Sequence, residues 1–193
     1  MEQSRRLRKR DATHRALMHS AKILFEENGL GNVTIDKIAE KADVSRSTFF
    51  SHFDSLDDLL SQIAGEEIKD IVEASVSDGI ADIYKVFEKL NEDTFPYPYL
   101  MSELVVRSIL SGKESAITDM LTAITDSVEK ESGGKPVGGF SPKDITAIVF
   151  GAYFGLVFQK FVYNEKFENP TEINDKIQQL IKHFINQEEN KNE

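Results

Sequence analysis

Between Thr34 and Phe53 the chain reads TIDKIAEKADVSRSTFFSHF, and the run Ser45 to His52 gathers side chains suited to reading nucleic acid. On a helix, Arg46, Ser47, Thr48, Ser51 and His52 share one side, while Phe49 and Phe53, four apart, share the other. An arginine grips guanine with two parallel hydrogen bonds, and serine or threonine hydroxyls serve a base edge or a phosphate. A short helix with an apolar back and this front suits insertion into a DNA major groove. Ahead of it, residues 1–10 (MEQSRRLRKR) hold five basic residues and one acidic. Arg5, Arg6, Arg8, Lys9 and Arg10 read as a flexible arm or a fraying helix start, suited to phosphate or minor-groove contact.

The elements that must hold these groups are legible from periodicity. Leu17, Met18, Ala21, Leu24 and Phe25 recur at helical spacing, predicting a helix over Asp11–Asn28 that stops at Gly29. Thr34 caps a second helix carrying Ile35, Ile38, Ala39 and Ala42, with Asp36 complementing its dipole. Asp43-Val44 forms the turn, and Ser45 caps the third helix. So small a core is marginal alone. It needs the next helix, which begins at the Ser55…Asp58 capping pattern and carries Leu59, Leu60, Ile63, Ile68 and Ile71 to about Ser77, before Asp78-Gly79.

The remainder reads as a helical body with no strand pattern. Helices are expected over Ile80–Leu90, Tyr99–Leu110, Glu114–Glu131, Pro142 to about Phe167, and Glu172 to about Gln187. The breaks are the two prolines near Phe95-Pro96-Tyr97-Pro98, Ser111-Gly112, and the glycine-rich loop Ser132–Pro142; the tail EENKNE is expected to fray. The run Ile145–Phe158 spans 14 residues, too short to cross a bilayer, and reads as a buried helix; no membrane partner is expected.

Whole-chain numbers agree with a head and a body. Residues 1–53 carry 10 Lys and Arg against 7 Asp and Glu, whereas residues 54–193 carry 13 against 26, within a net charge of −10. A mildly basic head on an acidic body suits a DNA-binding module joined to a domain that does not bind DNA. Cysteine is absent, which excludes thiolate metal sites and disulfides. With no apolar leader pattern, a cytoplasmic protein is expected. The four histidines, His14, His19, His52 and His183, show no metal spacing, and no nucleophile motif or phosphate loop stands out. Neither an enzyme nor a cofactor-binding protein is expected.

Taken together, LFEENG and TIDKIAEKADVSRSTFFSHFDSLDDLL resemble the tetracycline-repressor (TetR) family of bacterial transcription regulators. The resemblance implies an all-α chain of about nine helices. Residues 1–54 would form a three-helix, helix-turn-helix DNA-binding head with its basic arm, and residues 55–193 a larger helical effector-binding and dimerisation body. It implies a homodimer on a palindromic operator in double-stranded DNA, usually a repressor, released by a small molecule in the body. Arg46, Ser47 and Thr48 would face bases, and Thr34, Phe50 and His52 would lie near the backbone. The chain departs from the usual pattern at Asp43, where glycine is common, at Phe50, where tyrosine is, and at Leu56, where lysine is. The last two helices would pair with a second copy through Gly151, Gly155, Ile173, Leu180 and Phe184. Phe87, Tyr99, Met101, Met120, Phe150, Tyr153 and Phe154 are candidates to line an effector pocket. An alternative keeps the head and makes the body a docking surface for another protein, or makes the regulator an activator.

Overall fold

The computed structural model describes residues 2–77, 80–110 and 116–185. Nine α-helices are present among them: α1 (Glu2–Asn28), α2 (Ile35–Lys41), α3 (Arg46–Phe50), α4 (Leu56–Ser75), α5 (Ile83–Thr94), α6 (Pro98–Leu110), α7 (Ala116–Glu131), α8 (Pro142–Val162) and α9 (Glu172–Ile185). One 3-10 turn, Leu30–Asn32, follows α1. The all-α architecture is as expected; four local details are not.

First, α1 begins at Glu2, ahead of the expected Asp11, so the basic stretch takes the helical of its two expected forms. Its arginines, lysine and leucine are good helix formers, and no glycine or proline between Glu2 and Asp11 interrupts them. Second, where no strand was expected, Val76–Ser77 (β1) pairs antiparallel with Ile80–Ala81 (β2). Third, the next helix starts at Ile83 and not at Ile80, because the Asp82 carboxylate accepts the Tyr84 and Lys85 N–H groups and so caps it there. It continues to Thr94, past the expected Leu90. Fourth, α8 ends at Val162 and not near Phe167. Asn164 takes the left-handed conformation (φ 53°) and the Glu165 N–H returns to the Lys160 carbonyl, a helix stop in which asparagine stands for glycine. The expected boundaries at Asp78-Gly79, Ser111-Gly112, Glu114 and Gln187, and the tail EENKNE, lie outside the described residues.

Two cores organise the chain. One gathers Leu17, Phe25, Ile38, Phe49, Phe53, Leu59 and Ile63. The other gathers Ile71, Phe87, Leu90, Met120, Ile124, Val149, Tyr153 and Ile177. Two helices serve both. Helix α4 gives Leu59, Leu60 and Ile63 to the first and Ile68 and Ile71 to the second; α6 gives Leu100, Met101 and Leu104 to the first and Val105 to the second. At 21 residues, α8 is long and apolar enough to cross a membrane by length and composition. Ile145, Val149, Tyr153 and Val157 commit one side of it to the second core.

Candidate nucleic-acid interface

The turn between α2 and α3 is made by a residue that dislikes it. Asp43 sits at φ 54°, a left-handed conformation that an L side chain enters at a cost. Its N–H reaches the Glu40 carbonyl at 3.1 Å, and the Val44 N–H reaches Ala39 at 2.9 Å. This closes α2 in the manner glycine usually provides. The chain then enters α3 through Ser45, whose Oγ accepts the Thr48 N–H at 3.1 Å. Thr34 caps α2 likewise, accepting the Lys37 N–H.

Phe49 and Phe53 fix the depth and rotation of α3. Both are fully buried, with ring centroids 5.5 Å apart. Seated this way, the helix presents Arg46, Ser47, Phe50 and Ser51 to solvent, with Thr48 and His52 half-buried at the margin. Ser45 Oγ lies 2.8 Å from both Ser47 Oγ and Thr48 Oγ1, and Ser51 Oγ donates to the Thr48 carbonyl at 2.7 Å. Arg46 Nη1 donates to Asp36 Oδ1 at 2.6 Å, and its guanidinium lies 5.4 Å from the Phe50 ring centroid. The arginine is thus held between α2 and an exposed aromatic ring, ready to exchange a carboxylate for a base edge or phosphate. Arg5 and Arg6 are exposed on α1, and Thr34 is exposed at the start of α2.

Histidine reveals a contact that spacing concealed. His14 of α1 stacks on Phe53 at 4.6 Å, and its ring centre lies 5.6 Å from that of His52. Burial, and then the nearby His14 and Arg10, hold the His52 imidazole below its ordinary pKa. The two rings are 38 positions apart in the sequence, and the packing of α1 on Phe53 brings them together.

The first core is fastened to the rest at one further point. Glu26, near the end of α1, accepts the Leu100 N–H at 2.9 Å and the Tyr99 N–H at 3.3 Å, so its carboxylate caps α6. Burial raises the Glu26 pKa against these two hydrogen bonds. Lys22 of α1 pairs with Glu67 of α4 alongside. No local pattern signalled this seam.

Five of the seven expected effector residues come together, as packed core and not around an open cavity. Phe87, Met120 and Tyr153 are buried in the second core, joined by Phe150 and Phe154; the Tyr153 hydroxyl donates to the Leu90 carbonyl at 3.3 Å. Met101 belongs to the first core. Tyr99 is a surface residue, 43% exposed, with its ring edge against Phe161; capping by Glu26 turns it outward. Only Met101 and Met120 of the seven line the cavity where the two cores meet, beside Ala64, Ile68, Leu104 and Val105. That cavity measures about 10 Å³, room for roughly one water. Of the residues expected to meet a second copy, Gly151 and Gly155 are exposed, and a Cβ at either would meet open space. Leu180 and Phe184 are half-buried, Phe184 set edge-on to Phe140. Ile173 is not on a free face: it is buried in the second core, because it lies on the same side of α9 as Ile177 and Ile181.

Residues 17–63 match the profile of bacterial regulatory proteins of the tetR family. The Transposon Tn10 TetC protein of Escherichia coli is 27% identical over 129 residues, 57% of this chain and 66% of that protein. An HTH-type transcriptional regulator of Bacillus subtilis, YdeS, is 49% identical over 49 residues, a quarter (25%) of each chain. The matched stretches therefore span less than two thirds of either relative. Among solved structures, NalD of Pseudomonas aeruginosa, described as the secondary repressor of the MexAB-OprM multidrug efflux pump, superposes with a TM-score of 0.61. It covers 93% of this chain and 98% of its own at 14% identity, a likeness of fold.

Proposed function

The chain belongs to the tetR family of bacterial regulatory proteins, and we propose that it works as a cytoplasmic homodimer that represses transcription from a palindromic operator and leaves it when a small molecule enters the body. One observation carries the DNA half of this reading. Helix α3 is seated on two buried phenylalanines and turns Arg46, Ser47 and Ser51 outward. In this reading Arg46, Ser47 and Thr48 face base edges, while Thr34, Ser45, Phe50, Ser51 and His52 lie along the backbone. Arg5 and Arg6 on the helical start of α1 add phosphate contacts. Phe50 brings no hydroxyl to that contact, so the basic stretch carries more of the electrostatic affinity.

The dimer is supported by the outward face of α8, where Gly151 and Gly155 leave a shallow strip beside exposed Phe158, Phe161 and Val162. Such a strip lets a second helix approach closely, and operator symmetry mirrors protein symmetry. The effector half is supported by the apolar void between the two cores. A ligand there would part α4 from α6, the two helices that both cores share, and so shift the balance between two spacings of the recognition helices. Ser108 brings the one hydroxyl to its otherwise apolar lining, so the void suits a neutral, apolar compound.

The test is selection of bound duplexes from a random pool. A symmetric site, lost in Arg46→Ala with folding intact, supports the reading; no enrichment refutes it. A compound screen for release from the selected site tests the effector half. The near-solid second core favours one alternative, in which the body docks a protein partner. No compound raising the melting temperature or releasing DNA, combined with release by a protein, would decide for it.

A further inference from the structure

Arg10 and His14 of α1, together with His52 just after α3, converge on one edge of the recognition unit. The two imidazoles stand 5.6 Å apart, and His14 is held in place by its 4.6 Å stack on the buried Phe53 ring. On the side of α4, Asp58 faces His14. Its carboxylate is already engaged by the Gln62 amide at 3.0 Å and the Asp54 N–H at 2.8 Å. Arg10, His14 and His52 thus share this edge with Asp58, whose carboxylate is already engaged. In the absence of DNA a proton on His52 would be partly out of water and beside His14 and Arg10, and the folded protein holds that imidazole below its ordinary pKa.

We propose that DNA binding by this head is coupled to uptake of a proton at the His14–His52 pair, so that the operator is held more tightly as the cell turns acidic. The inference rests on the DNA-binding reading above. Duplex phosphates beside His52 supply the negative charge that the free protein lacks at this edge, and the imidazolium becomes the favoured form once they arrive. The sign follows from linkage: a complex that takes up a proton gains affinity as pH falls, by at most about tenfold per pH unit for one proton. The same pair has the opposite effect on the free fold. His52 is protonated less readily in the folded protein than in the unfolded chain. Folding therefore loses stability as pH falls below about 6.5, the ordinary histidine value. Acid loosens the free head while tightening its hold on DNA.

The experiment uses the full-length protein and a fluorescent duplex carrying the site selected from the random pool. Anisotropy is followed from pH 8.0 to 6.0 at constant ionic strength, and imidazole proton resonances are followed by NMR over the same range with and without duplex. The expected result is affinity rising by about three- to tenfold across one pH unit, with the His52 resonance titrating at higher pH in the complex. His52→Gln should flatten the slope, and His14→Gln should move its midpoint to higher pH, since a repelling neighbour is gone. His19→Gln, on an exposed part of α1, should change neither. A steep slope that survives His52→Gln, or a His52 resonance unmoved by duplex, overturns the proposal while leaving DNA binding standing. Failure of any duplex to bind at any pH overturns both.

Discussion

Helices α3 and α8 each leave one face uncovered, and the two faces are opposites. The face of α3 carries Arg46, Ser47 and Ser51, and its polar groups are already engaged with Asp36, Ser45 and the Thr48 carbonyl. Water covers such a surface at little cost, so α3 suits a partner that arrives and departs. The face of α8 carries Gly151, Gly155, Phe158, Phe161 and Val162, with open space above the glycines. Leaving apolar area in water costs about 25 cal/mol per Å², so α8 suits cover that stays. The same chain thus prepares one surface for exchange and another for lasting association.

Changes that swap the character of each face test this contrast, beginning with the strongest. Gly155→Arg places a charge on the strip that a second copy would cover. An unpaired buried charge costs about 3–5 kcal/mol, so sedimentation should show a monomer with unchanged helical content. A dimer of undiminished affinity would break the contrast at α8. Arg46→Ala removes the one cation on the α3 face. Duplex affinity should fall by about 1–3 kcal/mol, read by anisotropy. The melting temperature should barely move, because an exposed ion pair contributes about 0–1 kcal/mol. A smaller gain is expected from Asp43→Gly, which relieves the left-handed strain at the turn. A rise in unfolding free energy of about 1 kcal/mol, seen as a higher urea midpoint, would show that the turn keeps its shape at the expense of stability.

The smallest effect lies below the α8 face. Buried Lys160 donates to Glu172 at 2.8 Å, and Lys176 adds a second hydrogen bond; together they bring the Glu172 pKa from 4.5 to about 2. The carboxylate is charged in the fold and protonates more readily when unfolded. Its contribution is therefore present above about pH 4.5 and lost as pH falls towards 2. Because Glu172 is partly in water, that contribution is below about 1 kcal/mol. Glu172→Gln should flatten the fall of melting temperature across this window, and an unchanged profile would show that the pair is inert.

Much of this was legible in the sequence because it is local. The caps at Thr34 and Ser45, the stop at Gly29 and the spacing of Phe49 and Phe53 each act within a turn or two of their own position. Helix α3 was legible for the same reason. What escaped detection is non-local. Nothing near Glu26 announces that it caps a helix more than 70 positions on, and nothing near His14 announces His52. The surroundings of the pocket candidates were not legible for a related reason. Aromatic type cannot separate Tyr99, turned out by its place at the start of α6, from Tyr153, buried with its hydroxyl on Leu90. Ile173 was misassigned because α9 has one strongly apolar side, and the fold spends it on its own core.

The sharing of α6 between the two cores bears on how the protein comes into being. Leu100, Met101 and Leu104 complete the packing around Phe25, Phe49 and Phe53, yet they lie some fifty residues downstream of the recognition helix. A growing chain that has exposed only the first third of its sequence carries Arg46, Ser47 and Ser51 on an unfinished support. A fragment cut after residue 54 would carry the same defect. Hydrogen exchange should find the amides of α1 and α6 opening together, as one cooperative unit that no linear boundary outlines. In the proposed function, the ability to read DNA would therefore mature late in synthesis, once the middle of the chain has arrived to brace its beginning.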